Sequence, residues 1–242
     1  MPNPWLSIPL EDYEGHMDSI GVQQLNVLSE LFKRALNLCL PESVAVLGVA
    51  GGNGLEQIDC STTKRIVGID INQQYLKKVQ RRFGTLTGLE LHCRDLAEQD
   101  FSLAPVTLVH AALIFEHVGL GIALENALSL VAAEGALSVV LQFPSEDEQA
   151  VVSTSYVSMQ TLKQDFALID ISEFQRLLGQ RDSDWLSRKA DHCLPERLCG
   201  LVYSSKAGDD MWSVVVYLWR KGGPIERAVS VRRIKKNALV GC

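Results

Sequence analysis

A chain of 242 residues, 47% of them hydrophobic, suits one α/β domain with additions and has ample apolar residues for a core. Its formal net charge of −6 argues against a general nucleic-acid binder, because phosphate affinity comes from clustered Lys and Arg. No apolar run approaches the ~20 residues that span a bilayer, and residues 1–17 lack the basic-then-apolar order of a secretory signal, so a cytoplasmic protein without a membrane partner is expected.

The first periodic segment runs from Ser19 to Leu40. Its apolar residues Ile20, Leu25, Leu28, Leu31, Phe32, Ala35 and Leu38 recur at helical spacing, and Pro41 ends the helix. Strands are then expected at Ser43–Leu47, Arg65–Asp70, Leu89–Cys93, Val106–Ala111 and Ala136–Phe143. Helices are expected at Gly52–Ile58, Asn72–Phe83 and Leu120–Ala132, the last closed by Glu134 and Gly135. Such alternation means parallel pairing with right-handed crossovers. Met159–Gly179 holds a further helix, with Ser172 as its expected cap. Leu198–Ser204 and Met211–Arg220 flank a polar turn containing Gly208, which is a hairpin pattern.

Six cysteines are scattered without a CxxC pair, which fits a reduced protein. His192, Cys193 and Cys199 lie close together, but nothing near them has ligand spacing, so no metal site is expected. After Gly222, Gly223 and Pro224 the chain turns basic, with Arg227, Arg232, Arg233, Lys235 and Lys236. A solvated tail over 222–242 is the simplest reading.

The most informative stretch is Val44 to Ile58, VAVLGVAGGNGLEQI. A β-branched run stops at Gly48, and Gly48, Gly51, Gly52 and Gly54 fall within seven residues. Glycine permits positive φ and lets ligand atoms approach the backbone, so strand, turn and helix form a cradle for a nucleotide-like ligand. The spacing fits two templates. Gly48, Gly52 and Gly54 match the turn of nicotinamide-dependent short-chain dehydrogenases. Those enzymes need a Tyr-x-x-x-Lys pair on a helix. Tyr217 and Lys221 are the one such pair here, and they close a strand-like run in which four residues span about 13 Å.

Read instead from Gly48 through Ala50, Gly52 and Gly54, the chain resembles the class I S-adenosylmethionine-dependent methyltransferases over Val44 to Phe143. VGIDIN puts Asp70 and Ile71 at the end of the second strand, where the family's acidic residue holds the ribose hydroxyls. LHCRDL puts Asp95 past the third strand, facing the adenine amino group, with Leu96 against the ring. The resemblance implies a doubly wound, Rossmann-like, mostly parallel sheet of seven strands, with the C-terminal hairpin strand antiparallel. It implies residues 43–221 as the domain binding S-adenosyl-L-methionine and 1–42 as a helical lid segment. One place departs: the family usually carries Asp or Glu where this chain has Gly48. That departure keeps open a protein that binds the cofactor without catalysis.

Physical chemistry supports the acids independently. A carboxylate accepts from two adjacent hydroxyls at once, and strand C-termini face the crevice where α/β ligands bind. Methyl transfer requires an aligned nucleophile, exclusion of water and, for a protonated nucleophile, a base. Glu116 and His117, after the fourth strand, resemble a Glu-His pair of small-molecule members, and His117 is the candidate base. His110 is expected beside the cofactor's amino end. Tyr13, His16 and Met17 from the N-terminal segment and Tyr156 from the later insert are candidates for the substrate side. The family's Asn/Asp-Pro-Pro-Tyr motif is absent, with His-Ala-Ala-Leu in its place, which points to a small-molecule acceptor rather than nucleic acid or protein.

Overall fold

The computed structural model describes residues 3–20, 22–143, 154–186, 198–207 and 210–220. The basic tail, Pro144, His192 and Cys193 lie outside them. Strands β1 (Ser43–Leu47), β2 (Arg65–Asp70), β3 (Leu89–Cys93), β4 (Val106–Ala112) and β5 (Val131–Phe143) pair in parallel. β7 (Asp210–Arg220) runs antiparallel beside β5, and β6 (Leu198–Ala207) antiparallel beside β7, in the order β3-β2-β1-β4-β5-β7-β6. This is the expected Rossmann-like parallel α/β sheet. The chain leaves β1 toward β2 and later returns to β1's other side as β4, which opens a crevice at the carboxyl ends of these strands.

Alternation along β1 explains the layers. Val44 and Val46 face one side, where they pack with Phe32, Ala35 and Leu36 of α2 (Gln24–Cys39) and Leu76 and Val79 of α3 (Gln73–Phe83). Ala45 and Leu47 face the other, against α5 (Gly121–Ser129) and Phe174 and Leu178 of α6 (Ile171–Leu186). A strand buried on both faces has no polar alternation, as the sequences SVAVL and VTLVHAA show.

Several expected boundaries move. The helix expected from Ser19 begins at Gln24. Before it the Ser19 carbonyl accepts from the Val22 and Gln23 N–H groups, and Ile20 is 80% exposed. A helix not expected from sequence, α1 (Leu10–Asp18), precedes it, with Gly15 at its centre. Gly15 costs helix propensity, but a Cβ there would lie 2.2 Å from the Tyr156 hydroxyl, so close packing requires glycine. The helix expected over Gly52–Ile58 is only a 3-10 turn, Leu55–Gln57, because Gly52 and Gly54 both adopt positive φ. The helix expected to Ala132 ends at Ser129 and β5 starts at Val131. Glu134, left-handed at φ +60°, and Gly135 sit inside a bulge, where the ladder steps from Val106–Val131 to Leu108–Ala136. Asp170, not Ser172, caps α6: its Oδ1 accepts from the Ser172 N–H at 2.8 Å.

Candidate functional site

The crevice is a cavity bordered by Gly48 and Ala50 after β1, by Asp70 and Ile71 after β2, by Asp95 and Leu96 after β3, and by Ala112 to Ile114 and His117 after β4. The N-terminal segment covers it with Trp5, Tyr13, His16 and Met17, and the segment after β5 with Met159, Leu162 and Phe166.

Asp70 is 8% exposed. Its Oδ2 accepts from the Ala50 N–H and its Oδ1 from the Asn72 N–H, both at 2.8 Å. The first bond ties the glycine turn to β2, and the second opens α3. Burial raises the carboxyl above its ordinary range, while those two backbone bonds oppose the rise. Each oxygen retains a second lone pair for a ligand hydroxyl. Asp95 Oδ1 accepts from the Ala97 N–H at 2.9 Å, closing an Asx turn at the cavity wall.

Gly48 has φ +66°, and a Cβ there would stand 2.9 Å from Ile114 Cδ1. Ile114 thus fills the volume an acidic side chain at 48 would need. Gly51, Gly52 and Gly54 do not border the cavity. They pack the turn against neighbours: Gly51 against Glu14 and Arg82, Gly52 against Phe83, and Gly54 against Phe32.

His110 also lies elsewhere than expected. It is 3% exposed, with Nδ1 3.1 Å from Ser138 Oγ and its ring 4.7 Å from that of Phe32, on the α2 side of the sheet. Burial pulls it down to about 4. The cause is depth along the strand: His110 and Ala112 share a face, but only Ala112 stands at the carboxyl end where the cavity opens, while Phe32 covers His110. Glu116 is corrected likewise. It is 1% exposed and absent from the cavity wall, and its Oε1 accepts from the Gln142 N–H at 2.6 Å. Oε2 has no partner among the described residues, and burial raises the carboxyl to about 7. Tyr156 packs over Gly15 rather than lining the cavity.

His117, on the one-turn helix α4 (Phe115–Val118), does line it. Burial pulls its imidazole down to about 4, and its Nδ1 has no partner among the described residues. His16 is held low by burial too, with Nδ1 2.9 Å from Thr154 Oγ1. Tyr13 is pushed up by burial, with the Asp70 charge adding to the rise. Sequence reasoning missed Gln24, Gln142 and Phe166 on the wall, which lie outside the motifs and are brought in only by the fold, and it passed over Arg94, which stands inside LHCRDL directly before Asp95.

A regular latch holds the N-terminal segment in place. Asn72 Nδ2 donates to the Trp5 carbonyl at 2.7 Å and the Tyr75 hydroxyl to the Ile8 carbonyl at 2.9 Å. Lys78 pairs with Glu11, and Arg82 Nη2 meets Glu14 Oε2 at 2.9 Å. Partners every three residues on the segment meet one face of α3. Arg82 Nη1 also donates to the Gly51 carbonyl at 3.1 Å, linking latch and glycine turn. Exposed pairs of this kind are worth up to about 1 kcal/mol each. Arg82→Glu is therefore expected to accelerate limited proteolysis within residues 3–18 while the melting temperature falls by only a few degrees, ~4 °C or less. Glu14→Arg in the same chain should restore protection, and unchanged proteolysis in the single variant would show that the latch does not hold the segment.

The sequence matches no protein-family model and no curated protein. Solved structures do match by fold. The plantazolicin methyltransferase BpumL in complex with SAH superposes with a TM-score of 0.59 at 16% identity, over 90% of this chain and 93% of that one. The YcgJ protein from Bacillus subtilis gives 0.56 at 10%, over 81% and 98%. The N-methyltransferase NodS from Bradyrhizobium japonicum gives 0.53 at 13%, over 82% and 96%. With β1 to β5, the glycine turn and the acids on β2 and β3 in this order, the chain has the fold of the class I S-adenosylmethionine-dependent methyltransferases.

Proposed function

We propose that the protein is an S-adenosyl-L-methionine-dependent methyltransferase acting on a small molecule by in-line displacement. The observation that carries this reading is Asp70, a buried carboxylate on the cavity wall whose oxygens are pinned by the Ala50 and Asn72 N–H groups yet keep lone pairs for two hydroxyls. The cradle fits the cofactor: Gly48 and Ala50 border the cavity with no side chain larger than a methyl group, so a ligand can approach the backbone closely there. Asp70 holds the ribose, Asp95, Leu96 and Ile71 receive the adenine, and Gly48, Ala50 and Ala112 border the amino-acid end. The cofactor supplies a methyl group on a positively charged sulfur. The seven-stranded order with reversed β7 accords with this reading.

The chain's own residues orient the acceptor and exclude water. Residues 1–42 act as the lid over the domain at 43–221, through Trp5, Tyr13, His16 and Met17. The enclosed cavity and the acidic overall charge favour a small molecule over nucleic acid. No helix among the described residues is long and apolar enough to cross a membrane. The free thiols of Cys39, Cys60 and Cys93 fit a reducing, cytoplasmic setting. The dehydrogenase alternative is disfavoured by Tyr217, which sits on β7 opposite Val139 rather than on a helix.

Calorimetric titration with S-adenosylhomocysteine, beside NAD, tests the reading. Saturable binding of the former and none of the latter is expected. NAD binding alone would overturn it. Tight S-adenosylhomocysteine binding with no labelled methyl transferred to any small molecule would instead leave a non-catalytic binder.

A further inference from the structure

Four rings stand edge to face along one wall of the cavity. Tyr13 meets Trp5 at 5.6 Å and 74°, Trp5 meets His117 at 4.8 Å and 89°, and His117 meets Phe166 at 5.2 Å and 76°. All four line the cavity, yet they come from three distant pieces of chain: the N-terminal segment, the loop after β4, and the segment before α6. Met159 and Leu162, each 2% exposed, extend the same wall.

Charge is distributed unevenly around this space. Its charged lining residues, Asp70, Arg94 and Asp95, all follow β2 and β3. The wall formed by Trp5, His117, Phe166, Met159 and Leu162 contributes no charged side chain to the cavity, and the charge of Asp70 reaches it only at the Tyr13 end. The His117 imidazole stays neutral at physiological pH, held low by burial.

We infer that this wall receives a small, planar, uncharged aromatic ring as the methyl acceptor, packed edge to face against Trp5, His117 and Phe166. The inference rests on the methyltransferase reading and names the substrate class of that site. Perpendicular rings are the arrangement in which an inserted ring gains quadrupole contacts beyond area burial. A carboxylate or phosphate would lose its hydration with no cation to replace it. An alkylammonium has no lone pair to attack with, and an imidazole this weakly basic does not remove its proton at neutral pH. The acceptor thus arrives with a free pair on a ring nitrogen or ring amine. That pair forms the bond to the methyl carbon, the carbon–sulfur pair remains on sulfur as a neutral thioether, and any N–H proton released passes to water. His117 orients the heteroatom.

Isoquinoline, aniline, benzoate and phenyl phosphate, each titrated calorimetrically into protein saturated with S-adenosylhomocysteine, test the class. The two neutral rings are expected to bind and the two anions not. Phe166→Leu and Trp5→Ala are each expected to weaken isoquinoline about tenfold, the scale of one aromatic contact, while Phe166→Leu leaves the affinity for S-adenosylhomocysteine within twofold. With labelled S-adenosylmethionine, His117→Ala is expected to lower transfer to aniline at least tenfold. Anions binding as well as the neutral rings, or isoquinoline affinity unchanged in Phe166→Leu, would overturn the inference. If S-adenosylhomocysteine does not bind at all, the methyltransferase reading fails separately. The same rings titrated into the free protein then still read the wall, and binding lost in Phe166→Leu upholds it.

Discussion

Asp70→Ala is expected to lower the affinity for S-adenosylhomocysteine by about a hundredfold or more. A hydrogen bond to a charged group contributes about 1.5–3 kcal/mol, and losing two of the weaker kind costs roughly 3 kcal/mol, or about two decades. The substitution also leaves the Ala50 and Asn72 N–H groups without their acceptors, so the glycine turn loosens from β2. Asp70→Asn retains one acceptor oxygen and should fall between. Burial sets this carboxyl above the usual aspartate range, so acidification protonates it sooner than a free aspartate. Affinity should accordingly decline as pH falls. Calorimetry on folded Asp70→Ala protein checks the assignment, and wild-type affinity there would place the ribose elsewhere.

Glu116→Gln is expected to raise stability at pH 8 relative to the wild type and to leave it nearly unchanged below about pH 4.5. The Glu116 carboxyl stands at about 7 in the folded chain against an ordinary 4.5. Between those values the folded state binds more protons than the unfolded state, so unfolding free energy falls as pH rises. The contribution is fully present below about 4.5 and lost through about 7, and a gap of this size corresponds to about 3 kcal/mol. Glutamine keeps an oxygen for the Gln142 N–H and has nothing to ionise. Scanning calorimetry at pH 5 and pH 8 should show Glu116→Gln gaining about 6 °C or more on the wild type between the two pH values, a comparison in which the opposing protonation of His110 and His117, both held low by burial, cancels. Equal slopes in the two proteins would mean that Glu116 is not the group responsible. Glu116 is thus an anchor rather than a catalytic group: its side chain ties α4 to β5, and its carbonyl accepts from the Ala167 N–H beside Phe166.

Local chemistry made the parallel strands and the glycine turn legible. A strand buried on both faces must read as a continuous apolar run, and Asp70 could be placed because a strand's last residue projects into the crevice whatever packs around it. His110 and Glu116 could not be placed in the same way. His110 lies two residues short of Ala112, the cavity residue of β4, and Glu116 one residue before His117, where a helical turn sends neighbouring side chains about 100° apart. Only pairing with β5 and packing on Phe32 fixed which went inward. The helix α1 went unread, and its Gly15 is explained only by Tyr156, which occupies the space a side chain there would need.

The sequence by itself determined the order of the parallel strands, the cradle after β1 and the acids at the ends of β2 and β3, because these follow from neighbouring residues and backbone geometry. Tertiary structure alone decided that Trp5, His117 and Phe166 share a wall, that Ile114 fills the volume beside Gly48, and that α3 latches the N-terminal segment. These contacts join residues far apart in the chain, and such contacts carry no local periodicity from which to read them.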